Sequence, residues 1–142
     1  MERVEGVDVR LVREYPVEPI VRLYRAGGWW YDHYDVSHVP PMVRGSFAFA
    51  VAVVEATGET VGMGRCLSDG ASDAYIQDVI VDPAYRGAGI GRRIVDCLLD
   101  ACRKAGILWI GVVAEPEAVA FYEREGFSPL PGFVAMRYRA GD

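Results

Sequence analysis

Three consecutive segments constrain this chain more than anything else in it: a strand-like run from Ala74 to Val81, a glycine-rich turn at Arg86-Gly87-Ala88-Gly89-Ile90-Gly91, and a long amphipathic helix. Asp82-Pro83 closes the run, because proline has no N–H to offer a ladder. Beyond the glycines, Ile90, Ile94, Leu98, Ala101, Cys102 and Ala105 recur at helical spacing, with Arg92, Arg93, Asp96, Asp100, Arg103 and Lys104 on the opposite face and Gly106 as the stop. A strand that enters a helix through glycines gathers backbone N–H groups and the positive end of the helix dipole at one point. Such a point favours an anion. Glycine lets the main chain approach a bulky diphosphate and adopt positive φ, and Arg92 adds a charged donor at the helix start. The bland alternative, a tight turn and nothing more, is weakened by three alternate glycines behind Arg86.

Spacing separates the ways of holding phosphate. A P-loop is excluded, since no Gly-Lys-Ser/Thr follows. A Rossmann fingerprint needs glycine at its sixth position, where counting from Gly87 the chain has Arg92, and the preceding sequence is a meander instead of an opening βαβ unit.

The rest of the chain frames this unit. Val7, Val9 and Leu11 alternate like a half-buried strand that Pro16 ends, and Ile20, Leu23 and Tyr24 follow at helical spacing up to Gly27-Gly28. The aromatic stretch Trp29-Trp30-Tyr31-Asp32-His33-Tyr34-Asp35 leads to Val39-Pro40-Pro41-Met42-Val43, which has room for a turn or two of helix. Phe47, Phe49, Val51 and Val53 alternate with alanines, and Thr57-Gly58 turns the chain into Val61-Gly62-Met63-Gly64-Arg65, an antiparallel hairpin. Leu108 to Ala114 reads as a strand, Glu117 to Glu125 as a short helix with Gly126 as its stop, and Phe133 to Arg139 as a last alternating strand. The pattern predicts an α/β (α+β) domain over 1–142, with a mixed, mostly antiparallel sheet and helices on both faces.

Composition narrows the function classes. With 142 residues, 51% hydrophobic, one core suffices without disulfides. The net charge of −5 argues against nucleic-acid binding. Cys66, Cys97 and Cys102 form no CxxC, and reduced, packed thiols are expected. Met1 to Glu5 carry no apolar leader segment and no stretch suits a membrane span, so a cytoplasmic protein is expected. Asp32, His33, Asp35 and His38 follow no helix or strand face, and no metal site is expected there.

The segment Val81-Asp82-Pro83-Ala84-Tyr85-Arg86-Gly87-Ala88-Gly89-Ile90-Gly91 resembles the acetyl-CoA signature of the GNAT superfamily: Arg or Gln, two residues, Gly, one residue, Gly or Ala. Ala118-Val119-Ala120-Phe121-Tyr122-Glu123-Arg124-Glu125-Gly126-Phe127 resembles the family's later motif, an aromatic-rich helix ending in Gly-Phe. The resemblance implies an acetyl-CoA-dependent N-acetyltransferase whose sheet splays in the middle, between the strand of Val81 and the strand of Leu108. It implies pantetheine pairing with the main chain of Val79, Ile80 and Val81, and a pyrophosphate over the N–H groups of Arg86, Gly87, Ala88, Gly89, Ile90 and Gly91.

Acyl transfer from a thioester to an amine requires positioning, carbonyl polarisation and proton handling. A backbone N–H near Val79 or Ile80, released by the splay or a bulge, is the expected polarising group. Tyr122 matches the family's general acid for the departing thiolate, the alternative being an ordinary core aromatic. With ordinary pKa values of about 10 for tyrosine and about 8.5 for a thiol, hydrogen bonding to the thiolate is its natural contribution. Asp78 and Glu115 are the candidates for the amine's proton, working through water or by holding the cation; a satisfied strand-end carboxylate is the other reading of Asp78. The family commonly has Asn near Glu115, and the chain departs from it there. Trp29, Trp30, Tyr31 and Tyr34 lie where an acceptor wall is built and suit an amphipathic amine, with core packing as the equal alternative. The expected activity is acetylation of a small-molecule primary amine; a protein N-terminal or lysine acetyltransferase and a non-catalytic acyl-CoA sensor are the alternatives. A homodimer formed through the edge at Phe133 to Arg139 is a further expectation.

Overall fold

The computed structural model describes residues 6–140; the leader reading at Met1 to Glu5 lies outside them. The chain divides into two compact units, Met1–Val112 and Val113–Asp142.

The first unit is built on a five-stranded sheet of β1 (Val7–Leu11), β2 (Ala48–Val54), β3 (Thr60–Ser68), β4 (Asp73–Val81) and β5 (Trp109–Val112), in that spatial order. All pairings are antiparallel except β4 with β5. That exception follows from the intervening helix α3 (Ile90–Lys104), because a parallel return needs a crossover. Helices α1 (Val17–Ala26) and α2 (Val39–Gly45) lie between β1 and β2 in the chain. Gly27 and Gly28 end α1 as the sequence predicts, Gly27 N–H donating to the Leu23 carbonyl at 3.0 Å.

Strand alternation sorts residues onto two faces. Phe49, Val51, Val53 and Met63 pack with Ile20, Leu23, Val39 and Val43 in one core layer beside α1 and α2. Small residues fill the other face: Ala50 pairs with Gly64 and Ala52 with Gly62, beneath α3. A Cβ on Gly64 would lie 2.8 Å from Cγ2 of Ile94 and 3.0 Å from Cγ2 of Val79. The helix therefore sits as close as glycine permits, burying Ile90, Ile94, Val95, Leu98, Leu99 and Cys102. Gly64→Ala is expected to cost about 2 kcal/mol and lower Tm by roughly 5–10 °C in thermal unfolding, through overpacking of this interface. On the same face the thiols of Cys66 and Cys102 lie 3.5 Å apart, and burial pushes the Cys66 thiol up to about 12. Among the described residues the cysteines are free thiols, and no helix is long and apolar enough to cross a membrane.

The second unit contains a 3₁₀ turn at Pro116–Ala118 and α4 (Val119–Arg124). It corrects one expectation: residues 133–139 form no strand, and Phe133, Val134, Met136 and Tyr138 are exposed. Alternation gives a segment β preference, but a strand needs a ladder partner, and the described residues supply none. The edge on which pairing between chains was expected is therefore not a strand. The sequence also overextended β5, which ends at Val112 rather than Ala114.

Candidate active site

The structure gives β4 two different neighbours. On one side its pairing with β3 runs from Ala74 to Val81, but with a slip: Ile80 faces Met63 while Gln77 faces Arg65, so Gly64 stands opposite both Asp78 and Val79. This is a β-bulge. Asp78 carries it at φ 58°, the one positive value among described non-glycine residues. Left-handed backbone costs such a residue on the order of 1 kcal/mol, least for Asp and Asn. On the other side β5 pairs with Asp73 to Ile76 and no further. Main-chain groups from 77 to 81 thus have no strand partner on that side among the described residues. The opening falls where sequence placed it, beside Val79, Ile80 and Val81.

The chain then enters the glycine turn. Asp82 accepts from the Ala84 N–H at 2.9 Å and pairs with Arg22 at 3.2 Å, fixing a 3₁₀ turn at Pro83–Tyr85. Arg86 Nε donates to the Val81 carbonyl at 3.1 Å, which ties the guanidinium to the end of β4. Gly87 and Gly89 both have φ of 82°, and Gly89 is the N-cap of α3. No side chain caps that helix, and the N–H of Arg93 bonds the Gly89 carbonyl at 3.2 Å. The N–H groups of Ile90, Gly91 and Arg92 precede the first acceptor an α-helix can offer them, so they are directed at whatever lies before the helix. A methyl on Gly87 would meet no protein atom within 4 Å, so the loop is open above its backbone. Donors, dipole and space fit a diphosphate. Arg92 is exposed, 4.0 Å from Asp96, whereas Arg93 donates to the Val7 carbonyl at 2.9 Å and ties the helix start to β1.

The aromatic loop leaves α1 against β4. A Cβ on Gly27 would sit 3.1 Å from the Trp29 ring and 3.3 Å from Cδ1 of Ile80, so Trp29 and Ile80 flank that glycine. Tyr24 lies 6.3 Å from both Trp29 and Trp30, Trp30 lies 5.4 Å from Tyr34, and Tyr31 lies 5.3 Å from Tyr34. Trp29 and Trp30 pack on the core, while Tyr31 and Tyr34 are exposed. Core packing thus describes Trp29 and Trp30, whereas Tyr31 and Tyr34 stand outside the core. Asp32 pairs with Arg25 at 3.5 Å. Asp35 accepts from the Ser37 N–H at 2.9 Å, and this backbone hydrogen bond holds its carboxyl below the usual range. The described residues contain no cluster that could hold a metal.

Two partners of Asp78 escaped the sequence reading. Tyr24 donates its hydroxyl to Oδ2 of Asp78 at 2.7 Å, and Arg65 donates Nε to the same oxygen at 2.7 Å. The available signal was Arg65 itself, a charge inside an otherwise apolar strand.

In the second unit Glu115 precedes the 3₁₀ turn and its carbonyl accepts from the Ala118 N–H at 2.9 Å. Tyr122 on α4 is buried, with ring centroids 5.0 Å from Phe121 and 5.5 Å from Phe127. The Phe127 N–H donates to the Tyr122 carbonyl at 3.0 Å, and Gly126 at φ 97° makes the stop that the sequence motif predicts.

A mixed sheet with one half-paired inner strand leads here through glycines into a helix that no side chain caps. The model of the acetyltransferase (GNAT) family matches residues 12–127, and the chain belongs to that family. It is 37% identical over 80 residues to the uncharacterized N-acetyltransferase ycf52 of Pyropia yezoensis, covering 56% of this chain and 46% of that protein. It is 36% identical over 77 residues to the chloroplastic serotonin N-acetyltransferase 2 of Oryza sativa subsp. japonica, covering 54% of this chain and 38% of the relative. The chain thus matches less than half the length of these curated relatives. Among solved structures, a GNAT family acetyltransferase from Streptococcus pneumoniae superposes with a TM-score of 0.80 at 23% identity, over 96% of this chain and 99% of the other, and shares the fold. The chain thus carries a GNAT-type acetyltransferase domain over residues 12–127.

Proposed function

We propose that the protein moves an acetyl group from acetyl-CoA to a primary amine of a small molecule, by direct attack in a ternary complex. The observation that carries this reading is the β4 main chain from 77 to 81, which has no strand on its β5 side among the described residues and runs on into the glycine turn. The co-substrate supplies an activated acyl group, so the chain has to orient, polarise and move protons. Val79, Ile80 and Val81 hold the pantetheine arm through main-chain pairing. The N–H groups from Arg86 to Gly91 receive the diphosphate, with the Arg86 and Arg92 guanidinium groups adding charge. A main-chain N–H of Val79 or Ile80, next to the bulge, polarises the thioester carbonyl. Tyr122 hydrogen-bonds the departing thiolate, and Glu115 takes the amine's proton through water.

The acceptor end is the aromatic loop. Tyr31 and Tyr34, exposed beyond the packed Trp29 and Trp30, offer faces to an apolar amine and quadrupoles to its cation. Serotonin, for which one relative is named, is an arylalkylamine, and this supports the same class here. Thiol release from acetyl-CoA, measured against arylalkylamines, polyamines, amino sugars, amino acids and short peptides, is expected to be fastest with the arylalkylamines. Faster release with peptides would move the assignment to protein acetylation. Tight coenzyme binding with no release for any amine would make the chain a sensor.

A further inference from the structure

We propose that Tyr24 and Arg65 are positioning residues for the transfer: by gripping the Asp78 carboxylate from two sides they hold the β4 bulge in the geometry that presents the Val79 to Val81 main chain to the thioester, and Asp78 serves as the anchor of that edge instead of as a base. The proposal rests on the reading of β4 as the acyl-transfer edge. Its physical basis lies within the first unit.

Asp78 is strained at φ 58°, and strained backbone persists where its surroundings fix it. Here the surroundings are two donors from different elements, Tyr24 on α1 and Arg65 on β3, converging on one carboxylate oxygen at 2.7 Å each. The Arg65 and Asp78 side chains are 17% and 25% exposed, so solvent screens the pair little. Arg65 stands directly across from Gln77, the last regular pair before the slip, and reaches past it to the bulge. Tyr24 is itself built into the core layer, with its hydroxyl 3.3 Å from the Met42 sulfur. Burial, and then the adjacent carboxylate, raise the Tyr24 phenol far above its ordinary range, which keeps it a donor at every working pH. Both donors thus engage one carboxylate oxygen, Oδ2, from separate elements.

Four variants test this: Tyr24→Phe, Arg65→Met, Asp78→Ala and Asp78→Asn. Each is measured for kcat, KM for acetyl-CoA, pH profile, Tm, and amide hydrogen exchange across residues 77–81. Tyr24→Phe and Arg65→Met are each expected to lower kcat about tenfold, with KM for acetyl-CoA within about threefold of the parent. Both are expected to accelerate exchange at 77–81 selectively. Asp78→Ala is expected to lose about 100-fold in kcat, and Asp78→Asn, which keeps an acceptor and tolerates left-handed backbone, to recover most of it with the parent's pH profile. Asp78→Asn as inactive as Asp78→Ala, with a lost pH limb, would make Asp78 the base and overturn the proposal. So would parental kcat and parental exchange in Tyr24→Phe, the mildest of the four and the one that decides if Arg65→Met fails to fold. If the parent turns over no amine, the activity reading falls, and hydrogen exchange still decides the clamp.

Discussion

Gly89→Val abolishes acetyl-CoA binding by calorimetry: this is the largest effect expected of any substitution in the turn. Gly89 has φ 82° at the N-cap of α3, a conformation closed to a β-branched residue, and its backbone lies where the diphosphate is proposed to approach. Strain alone would also loosen the helix start, so the informative companion is Gly87→Ala. There too φ is 82°, but the added methyl meets no protein atom within 4 Å. Backbone strain at that site is on the order of 1 kcal/mol, so the domain stays folded, with Tm lowered by a few degrees. Its acetyl-CoA affinity is expected to fall about 100-fold, because the methyl enters the space assigned to the ligand. Parental affinity in both variants would remove the turn from the site.

Tyr122→Phe is the second large effect. Phenylalanine keeps the ring between Phe121 and Phe127, so packing in the second unit is preserved and only the hydroxyl is lost. If that hydroxyl meets the leaving thiolate, kcat falls about 100-fold or more while acetyl-CoA affinity stays within about twofold. Stopped-turnover thiol release together with calorimetry separates the two quantities. An unchanged kcat would return Tyr122 to the role of a core aromatic.

What the sequence made legible was set by local chemistry. The alternation of Phe49, Val51 and Val53 with alanines, the spacing of Ile90, Ile94 and Leu98, and glycines at Gly27 and Gly126 each act within a few residues of where they stand. The corresponding strand, helix and stops are present. Even the turn's positive φ at Gly87 and Gly89 is a property of single positions. The features missed or misread depend on a second segment. The bulge, only one of the alternatives the sequence offers beside Val79 and Ile80, is a relation between β4 and β3, and the run from Ala74 to Val81 does not by itself fix its place at Asp78. The partners of Asp78 lie 54 residues away at Tyr24 and 13 away at Arg65, and nothing along the chain joins them. Residues 133–139 alternate as a strand should, yet no ladder is there to receive them. The candidate chemistry followed the same divide: the anion cradle came from one contiguous stretch, whereas which carboxylate is engaged required three elements in space.

The half-pairing of β4 divides labour along a single strand of nine residues. Its three positions from Ala74 to Ile76, paired on both flanks, belong to the architecture, and a substitution there registers as lost stability. Its later positions pair with β3 alone, and the flank toward β5, without a strand among the described residues, is the one proposed for the co-substrate. The proposed acceptor loop after α1 is a separate segment of the chain, so new acceptor preferences would arise there without rebuilding either half of β4, which makes that loop the natural target for redirecting the proposed transfer.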